Sequence, residues 1–214
     1  MVINELADSS KRFKQGDFKK HEEKFAVLAQ EGQNPKILFI TCCDSRVLPN
    51  LITGTDPGDL FVVRNIGNFV APSEFDESFH STAAAIEYAV SVLEVSDIIV
   101  CGHSQCGAIS ALYYDKNKLN KPELKHVRQW LDLGKGAKEM AELRCGSGCS
   151  HEEKLEKTEK ISASFQIGNL LTYPAVRRRV SEKTLFLHAW HYDIMSGTIS
   201  YYDNNTLSYL PLNE

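Results

Sequence analysis

Two cysteine-containing motifs carry the residues of this 214-residue chain that are best suited to chemistry. The first is TCCDSR at residues 41–46, and the second is CGHSQCG at residues 101–107. A cysteine of the first motif, with the histidine and second cysteine of the other, makes a Cys₂His set. Such a set is typical of a catalytic zinc site, because three protein ligands leave a fourth position for water. Soft sulfur with imidazole favours zinc over magnesium or calcium.

Alternation of side chains in an extended segment decides between the two adjacent cysteines. Cys42, Asp44 and Arg46 share one face, and Cys43 points the other way. The Arg46 guanidinium matches the Asp44 carboxylate and keeps it ionised, so this catalytic pair can accept a hydrogen bond from zinc-bound hydroxide. An Asp44 released from Arg46 would instead take the fourth zinc position and close the site. The predicted metal ligands are Cys42, His103 and Cys106.

A parallel α/β sheet would bring these motifs together. Short β-branched runs alternate with helix-length segments from residue 36 onward, which favours βαβ units. Both motifs directly follow predicted strands, and open parallel sheets bind ligands at the carboxyl ends of their strands. We predict strands near 36–41, 59–63, 97–101 and 184–189, an edge strand near 198–202, and helices over 77–93, 105–113, 123–142 and 153–171.

The N-terminal residues 1–30 form two predicted helical pieces, broken at Gly16-Asp17, where Asp17 is a candidate cap. This arm has few apolar residues, so we expect it to pack on another surface, for which a second subunit is one candidate. Residues 1–214 are predicted to be a single domain, and no linker divides them.

Composition narrows the class of protein. The net charge of −4 without a basic stripe disfavours nucleic acid as a partner. No apolar run approaches the roughly 20 residues that cross a bilayer, and no secretory signal pattern is present. We therefore expect a cytoplasmic protein without membrane partners, or an organellar one if a transit peptide has been removed. Six cysteines in such a chain favour metal binding or catalysis over structural disulfides.

The two motifs, with FVVRNIGN at 61–68 and AAIEY at 84–88, resemble those of the β-class carbonic anhydrases. The similarity extends from about Gly32 to Tyr202. It implies Zn²⁺ as cofactor and reversible hydration of carbon dioxide to bicarbonate and a proton, by attack of zinc-bound hydroxide on CO₂. It also implies an α/β fold with a mainly parallel four-stranded sheet, an antiparallel edge strand and flanking helices. The resemblance further implies a homodimer or a higher even oligomer, in which the N-terminal arm lies over the partner subunit.

Within that family the chain resembles the plant-like members, which have an open zinc position. The segment GQNPK at 32–36 is similar to their segment that carries a substrate-facing glutamine, here Gln33. Phe61, Ile66 and Tyr88 match positions that line the apolar substrate pocket, partly across the dimer interface. Gln33 and the backbone N–H of Gly107 are the groups expected to stabilise charge that develops on oxygen.

Other members of this family are bacterial forms that bind bicarbonate at a regulatory site and can close the zinc position with the Asp. Their regulatory site carries a Trp three residues before the first zinc ligand, where this chain has Phe39. Tyr192 nevertheless matches another position of that site. The resemblance therefore favours an unregulated, open site and leaves the closed alternative standing.

Three other interpretations use the same residues. A hydrolase of carbonyl sulfide or carbon disulfide would use the same zinc hydroxide and differ in pocket width. A non-catalytic binding or sensing protein stabilised by zinc would need the ligands without the Asp44–Arg46 pair or Gln33, and a structural zinc could take Asp44 as its fourth ligand. Of the remaining cysteines, Cys43 and Cys101 are predicted to pack, and Cys145 and Cys149 to be loop thiols.

Overall fold

A six-stranded sheet in the order β2-β1-β3-β4-β5-β6 forms the centre of the computed structural model, which describes residues 2–73, 80–146 and 148–212. The strands are β1 (Ile37–Cys42), β2 (Leu60–Asn65), β3 (Asp97–His103), β4 (Phe186–Tyr192), β5 (Ile199–Asp203) and β6 (Ser208–Pro211). The strands β1 to β4 pair in parallel, and β5 and β6 add antiparallel pairs. The predicted four parallel strands with an antiparallel edge are confirmed, and β6 is a further antiparallel strand that was not predicted.

Helices connect the strands and pack against the sheet. The α-helices are α1 (Val2–Gln15), α2 (Asp17–Lys20), α3 (Glu22–Glu31), α4 (Pro49–Thr53), α5 (Ser81–Ser91), α6 (Gly107–Ala111), α7 (Lys116–Leu119), α8 (Lys125–Leu131), α9 (Lys135–Cys145), α10 (His151–Leu170) and α11 (Pro174–Ser181). The helix predicted over 77–93 corresponds to α5, and residues 77–79 lie outside the described residues. The helix predicted over 123–142 is divided by a 3₁₀ turn at Asp132–Gly134 into α8 and α9. None of the helices in the described part of the chain is both long and apolar enough to span a membrane.

The strands β1 and β3 are almost continuously apolar because both of their faces are covered, as parallel sheets require. Alternate residues face the two sides. One side packs against α5, α11 and the C-terminal end of α10, and the other contacts Ile52 of α4 and Trp190 of the neighbouring strand β4. The first side contains Leu38, Ile40, Ile98, Val100, Ile86, Val90, Leu170 and Val176, and the second contains Phe39, Ile99 and Cys101.

The N-terminal arm consists of α1, α2 and α3 rather than two helical pieces. Gly16 precedes α2 without a side-chain cap bond, and Asp17 instead pairs with Lys20 at 2.8 Å, so the predicted capping role of Asp17 is wrong. No residue of Val2–Gln15 is buried. Lys24 of α3 reaches the carboxylate of Asp59 at 2.9 Å and ties the arm to the loop before β2.

Two predictions about cysteines are wrong. Cys145 and Cys149 form a disulfide, with Cα atoms 5.3 Å apart, instead of being free loop thiols. Gly146, with φ of 55°, turns the chain between α9 and α10 and brings the two side chains together. Cys43 is exposed rather than packed, because β1 ends at Cys42 and its alternation goes no further, whereas Cys101 is buried as predicted.

Candidate metal centre

Three buried side chains converge at the carboxyl edge of the sheet. Cys42 is the last residue of β1, His103 is the last residue of β3, and Cys106 precedes the first turn of α6. Their ligand atoms all lie within 4.8 Å of one another. Zinc binds sulfur at about 2.3 Å and imidazole nitrogen at about 2.0–2.1 Å, so one ion between these atoms needs only small adjustments of the side chains.

The His103 ring provides the test of whether this cluster suits a metal. Its Nδ1 lies 2.9 Å from the carbonyl oxygen of Ser104, which can only accept, so Nδ1 carries the proton. Its Nε2 therefore presents a lone pair, and that atom is buried without a hydrogen-bond partner in the part of the chain that the structure describes. A second hydrogen bond that fixes the tautomer is the usual arrangement of a zinc-binding histidine. The donor set thus fits zinc.

The pKa values of the two thiols are shifted in opposite directions. The hydrogen bond with Cys106 lowers the pKa of Cys42, and the His103 ring and the N–H of Gly67, which lies 3.4 Å from Sγ, act in the same direction against burial. The hydrogen bond with Cys42 raises the pKa of Cys106, and burial raises it further. Cys42 is therefore the side chain that supplies a thiolate most readily.

Asp44 and Arg46 form a two-pronged pair beside these ligands. Arg46 donates from Nε to Oδ1 at 2.9 Å and from Nη2 to Oδ2 at 2.8 Å, and its backbone N–H also reaches Oδ1 at 3.0 Å. These hydrogen bonds hold the pKa of Asp44 far below its usual range. Asp44 Oδ2 lies 4.0 Å from Nε2 of His103. The pairing arises in a turn after β1, so the predicted strand alternation explains Cys42 but not the contact between Asp44 and Arg46.

Two further residues support this pair and were not predicted. Gln105 accepts hydrogen bonds from Arg46 at its side-chain oxygen, 3.1 Å, and at its carbonyl oxygen, 3.2 Å. Arg64 donates to the carbonyl oxygens of Cys42 at 3.1 Å and Asp44 at 2.6 Å. Arg64 lies within the FVVRNIGN motif, at the carboxyl end of β2, and that position was the available signal.

The residues predicted to bind substrate fall into two groups. Ile66 directly follows β2, next to the Gly67 N–H that contacts Cys42, and Gly107 begins α6 directly after Cys106. Both are therefore adjacent in the chain to residues of the metal centre. The indole N–H of Trp130 donates a hydrogen bond to the carbonyl oxygen of Ile66 at 2.7 Å and fixes this part of the backbone.

The second group does not meet the metal centre of its own chain. Phe61 pairs with Leu38, four residues before Cys42, which is about 13 Å along a strand. Its ring lies 6.0 Å from that of Tyr88, which is 44% exposed. Gln33 is exposed in the segment before β1, at the opposite edge of the sheet from Cys42.

Comparison with known proteins identifies the family. The family model for carbonic anhydrase matches residues 37–199. The chain is 40% identical to carbonic anhydrase 1 of Escherichia coli O157:H7, over 98% of this chain and 92% of that protein. It is 34% identical to a carbonic anhydrase of Helicobacter pylori strain J99, over 94% of this chain and 91% of that protein. The solved structure of the β-carbonic anhydrase CcaA superposes with a TM-score of 0.89 at 37% identity, over 100% of this chain and 93% of that one.

The chain belongs to the β-class carbonic anhydrase family. The reaction of this family is the reversible hydration of carbon dioxide to bicarbonate at a zinc ion, and the Cys-His-Cys cluster suits that cofactor. The predictions of family, enzyme class, fold and zinc cofactor are confirmed. Bacterial and plant proteins both occur among the relatives, so the plant-like subgroup stays a prediction.

Proposed function

We propose that this chain hydrates carbon dioxide at a zinc centre whose ligands are Cys42, His103 and Cys106, with Asp44 as the catalytic acceptor and Arg46 as its support. The observation that carries the proposal is the unpartnered lone pair of His103 Nε2, buried within 4.8 Å of both cysteine sulfurs among the described residues. Zinc supplies Lewis-acid activation of water at such a centre. The Asp44 carboxylate, 4.0 Å from the same nitrogen, is placed to orient the attacking oxygen.

The role of Asp44 follows from its charge and its restraints. An ionised carboxylate accepts hydrogen bonds and donates none. Asp44, held by Arg46, would accept a hydrogen bond from the attacking O–H group. This hydrogen bond would turn the oxygen lone pair toward carbon dioxide. The same hydrogen bonds hold Asp44 on Arg46, and a carboxylate held in this way would be hindered from taking the fourth position of a bound zinc, which supports the open form of the site.

Substrate binding in this proposal requires a second subunit. Ile66 and the N–H of Gly107 act in their own chain, and Gln33, Phe61 and Tyr88 contribute to the site of a partner, because they lie far from Cys42 of the same chain. The fully unburied helix α1 and the exposed Tyr88 support an oligomer. β-Carbonic anhydrases of Sordaria macrospora, 30% identical to this chain with a TM-score of 0.80, are described as tetrameric. We propose a homodimer or a higher even oligomer.

Replacement of Asp44 tests the catalytic part of the proposal. Asp44→Asn keeps the size of the side chain but removes its charge, and we expect the hydration rate to fall by about 100-fold or more with unchanged zinc content. Cys106→Ser is expected to lose zinc. Asp132→Asn changes an exposed carboxylate that pairs with Lys135 and lies outside the N-terminal arm and the ligand set, and it serves as the matched control. A wild-type rate in Asp44→Asn, or full zinc content in Cys106→Ser, would refute the assignment.

A further inference from the structure

A buried acidic side chain lies behind the metal centre, outside the ligand set and the Asp44–Arg46 pair. Glu159 of α10 and His191 of β4 are each only 4% exposed. Glu159 Oε1 accepts a hydrogen bond from the backbone N–H of Cys106 at 3.0 Å. Its second oxygen, Oε2, lies 3.6 Å from Nε2 of His191. The carboxylate therefore makes a hydrogen bond to the peptide of a proposed ligand and lies close to, without hydrogen bonding to, the next strand of the sheet.

The fold brings Glu159 to this position through close contact of α10 with β3. A Cβ atom on Gly102 would lie 3.3 Å from the carbonyl oxygen of Glu159 and 3.5 Å from Cβ of Ala163. The absence of a side chain at Gly102 lets the helix lie directly on the strand. Gly102 is also paired with His191 across β3 and β4, so Glu159 lies above both strands.

The buried backbone N–H of Cys106 donates a hydrogen bond to Glu159, and it would be costly to leave this group without a partner. Cys106 precedes α6, where backbone N–H groups have no partner inside the helix. Gln105, directly before it, has a φ of 57°, so the chain turns sharply between His103 and Cys106. A hydrogen bond to an ionised carboxylate is stronger than one to a neutral acceptor, and the bond from the Cys106 N–H to Glu159 holds this peptide in one orientation.

We propose that Glu159 is a positioning residue for Cys106. Its carboxylate oxygen fixes the Cys106 peptide so that Sγ faces Cys42 and His103, and it thereby slows the loss of metal from the centre. The position of the Glu159 oxygen that accepts from the Cys106 N–H, rather than the negative charge of the carboxylate, is what retains the metal. The inference rests on the proposed ligand set, because it acts through Cys106.

Four variants of the zinc-loaded enzyme separate these statements. Glu159→Gln keeps an acceptor oxygen and removes the charge, whereas Glu159→Asp keeps the charge and withdraws the oxygen by one methylene. Glu159→Ala removes both. Glu156→Ala, on the same helix, alters a carboxylate that is 60% exposed and paired with Lys160, and it is the matched control.

The first readout is the rate at which zinc passes to an excess of a chelating dye, and the second is the thiolate-to-cobalt absorption of the cobalt-substituted enzyme. We expect zinc release about 10–100-fold faster in Glu159→Ala and Glu159→Asp, with a changed cobalt spectrum and an unchanged far-ultraviolet circular dichroism spectrum. Glu159→Gln and Glu156→Ala are expected to match the wild type in both readouts.

Three results would overturn the proposal. Wild-type zinc release in Glu159→Asp shows that the oxygen position is unimportant. Zinc release in Glu159→Gln as fast as in Glu159→Ala shows that an acceptor oxygen without the charge does not retain the metal. If Glu159→Ala does not fold, Glu159→Asp and Glu159→Gln, each compared with the wild type, still decide between the outcomes. Unchanged zinc release in Cys106→Ser would instead show that the ligand set is wrong, which distinguishes failure of the proposed function.

Discussion

Replacement of Gly67 by alanine tests the packing that places a backbone N–H against Cys42. Gly67 has φ of 77°, in the left-handed region, and its N–H lies 3.4 Å from Cys42 Sγ. A Cβ atom there would lie 2.8 Å from Cβ of Ala108 and 2.9 Å from Cζ of Phe69. Phe69 is fully buried and Ala108 nearly so, and neither can move away without a shift of its surroundings.

Two contributions set the expected loss of stability in Gly67→Ala. The left-handed backbone costs an alanine about 1–2 kcal/mol. Overpacking against Phe69 and Ala108 adds about 1–3 kcal/mol. The total of about 2–5 kcal/mol corresponds to a fall in melting temperature of about 4–20 °C for a chain of this size, at about 2–4 °C per kcal/mol.

Gly54→Ala separates the two contributions. Gly54 also has a positive φ, 63°, but no heavy atom of the described residues lies within 4 Å of the place that an added Cβ would take. It should therefore show only the backbone cost of about 1–2 kcal/mol. Differential scanning fluorimetry of both zinc-loaded variants gives the comparison, and hydration assays are expected to show reduced activity in Gly67→Ala alone. Equal melting temperatures for the two variants would refute the close approach.

The remaining predictions concern protonation and thiol chemistry. Arg46 holds the pKa of Asp44 below its ordinary value of 3.8, so the stabilisation of the ionised form is present above that value and lost as the pH falls through the folded-state pKa. Arg46→Ala should therefore shift the acid-side loss of kcat/KM to higher pH, toward the ordinary Asp value of 3.8, and a loss at the same pH as in the wild type would contradict this. Iodoacetamide at pH 8 should alkylate exposed Cys43 and spare Cys101, whose pKa is raised to about 12 by burial; equal labelling in peptide mass spectrometry would be the contrary result. The unfolded chain should show four thiols before reduction and six after it, since Cys145 and Cys149 are bonded, and six from the outset would disprove the bond.

Local patterns were enough to predict the four parallel strands and the meeting of Cys42, His103 and Cys106 at one edge of the sheet. The apolar runs before Cys42 and before His103 form β1 and β3, and parallel strands meet at one edge at their carboxyl ends. Local patterns did not reveal β6, whose four residues carry a weak signal, or the disulfide, which depends on how α9 meets α10. The contact between Asp44 and Arg46 was predicted for the wrong reason, since a turn rather than a strand creates it.

The types and spacing of Cys42, His103 and Cys106 by themselves determined the chemistry of the site, because the ligand preferences of zinc depend on donor atoms that the sequence names. Only the tertiary structure decided which groups contact these proposed ligands. Glu159 lies 53 residues from Cys106 along the chain, and Arg64 reaches Cys42 from a neighbouring strand. Such contacts arise from the packing of α10 on β3 and from strand register, and these long-range arrangements leave no periodic trace in the sequence.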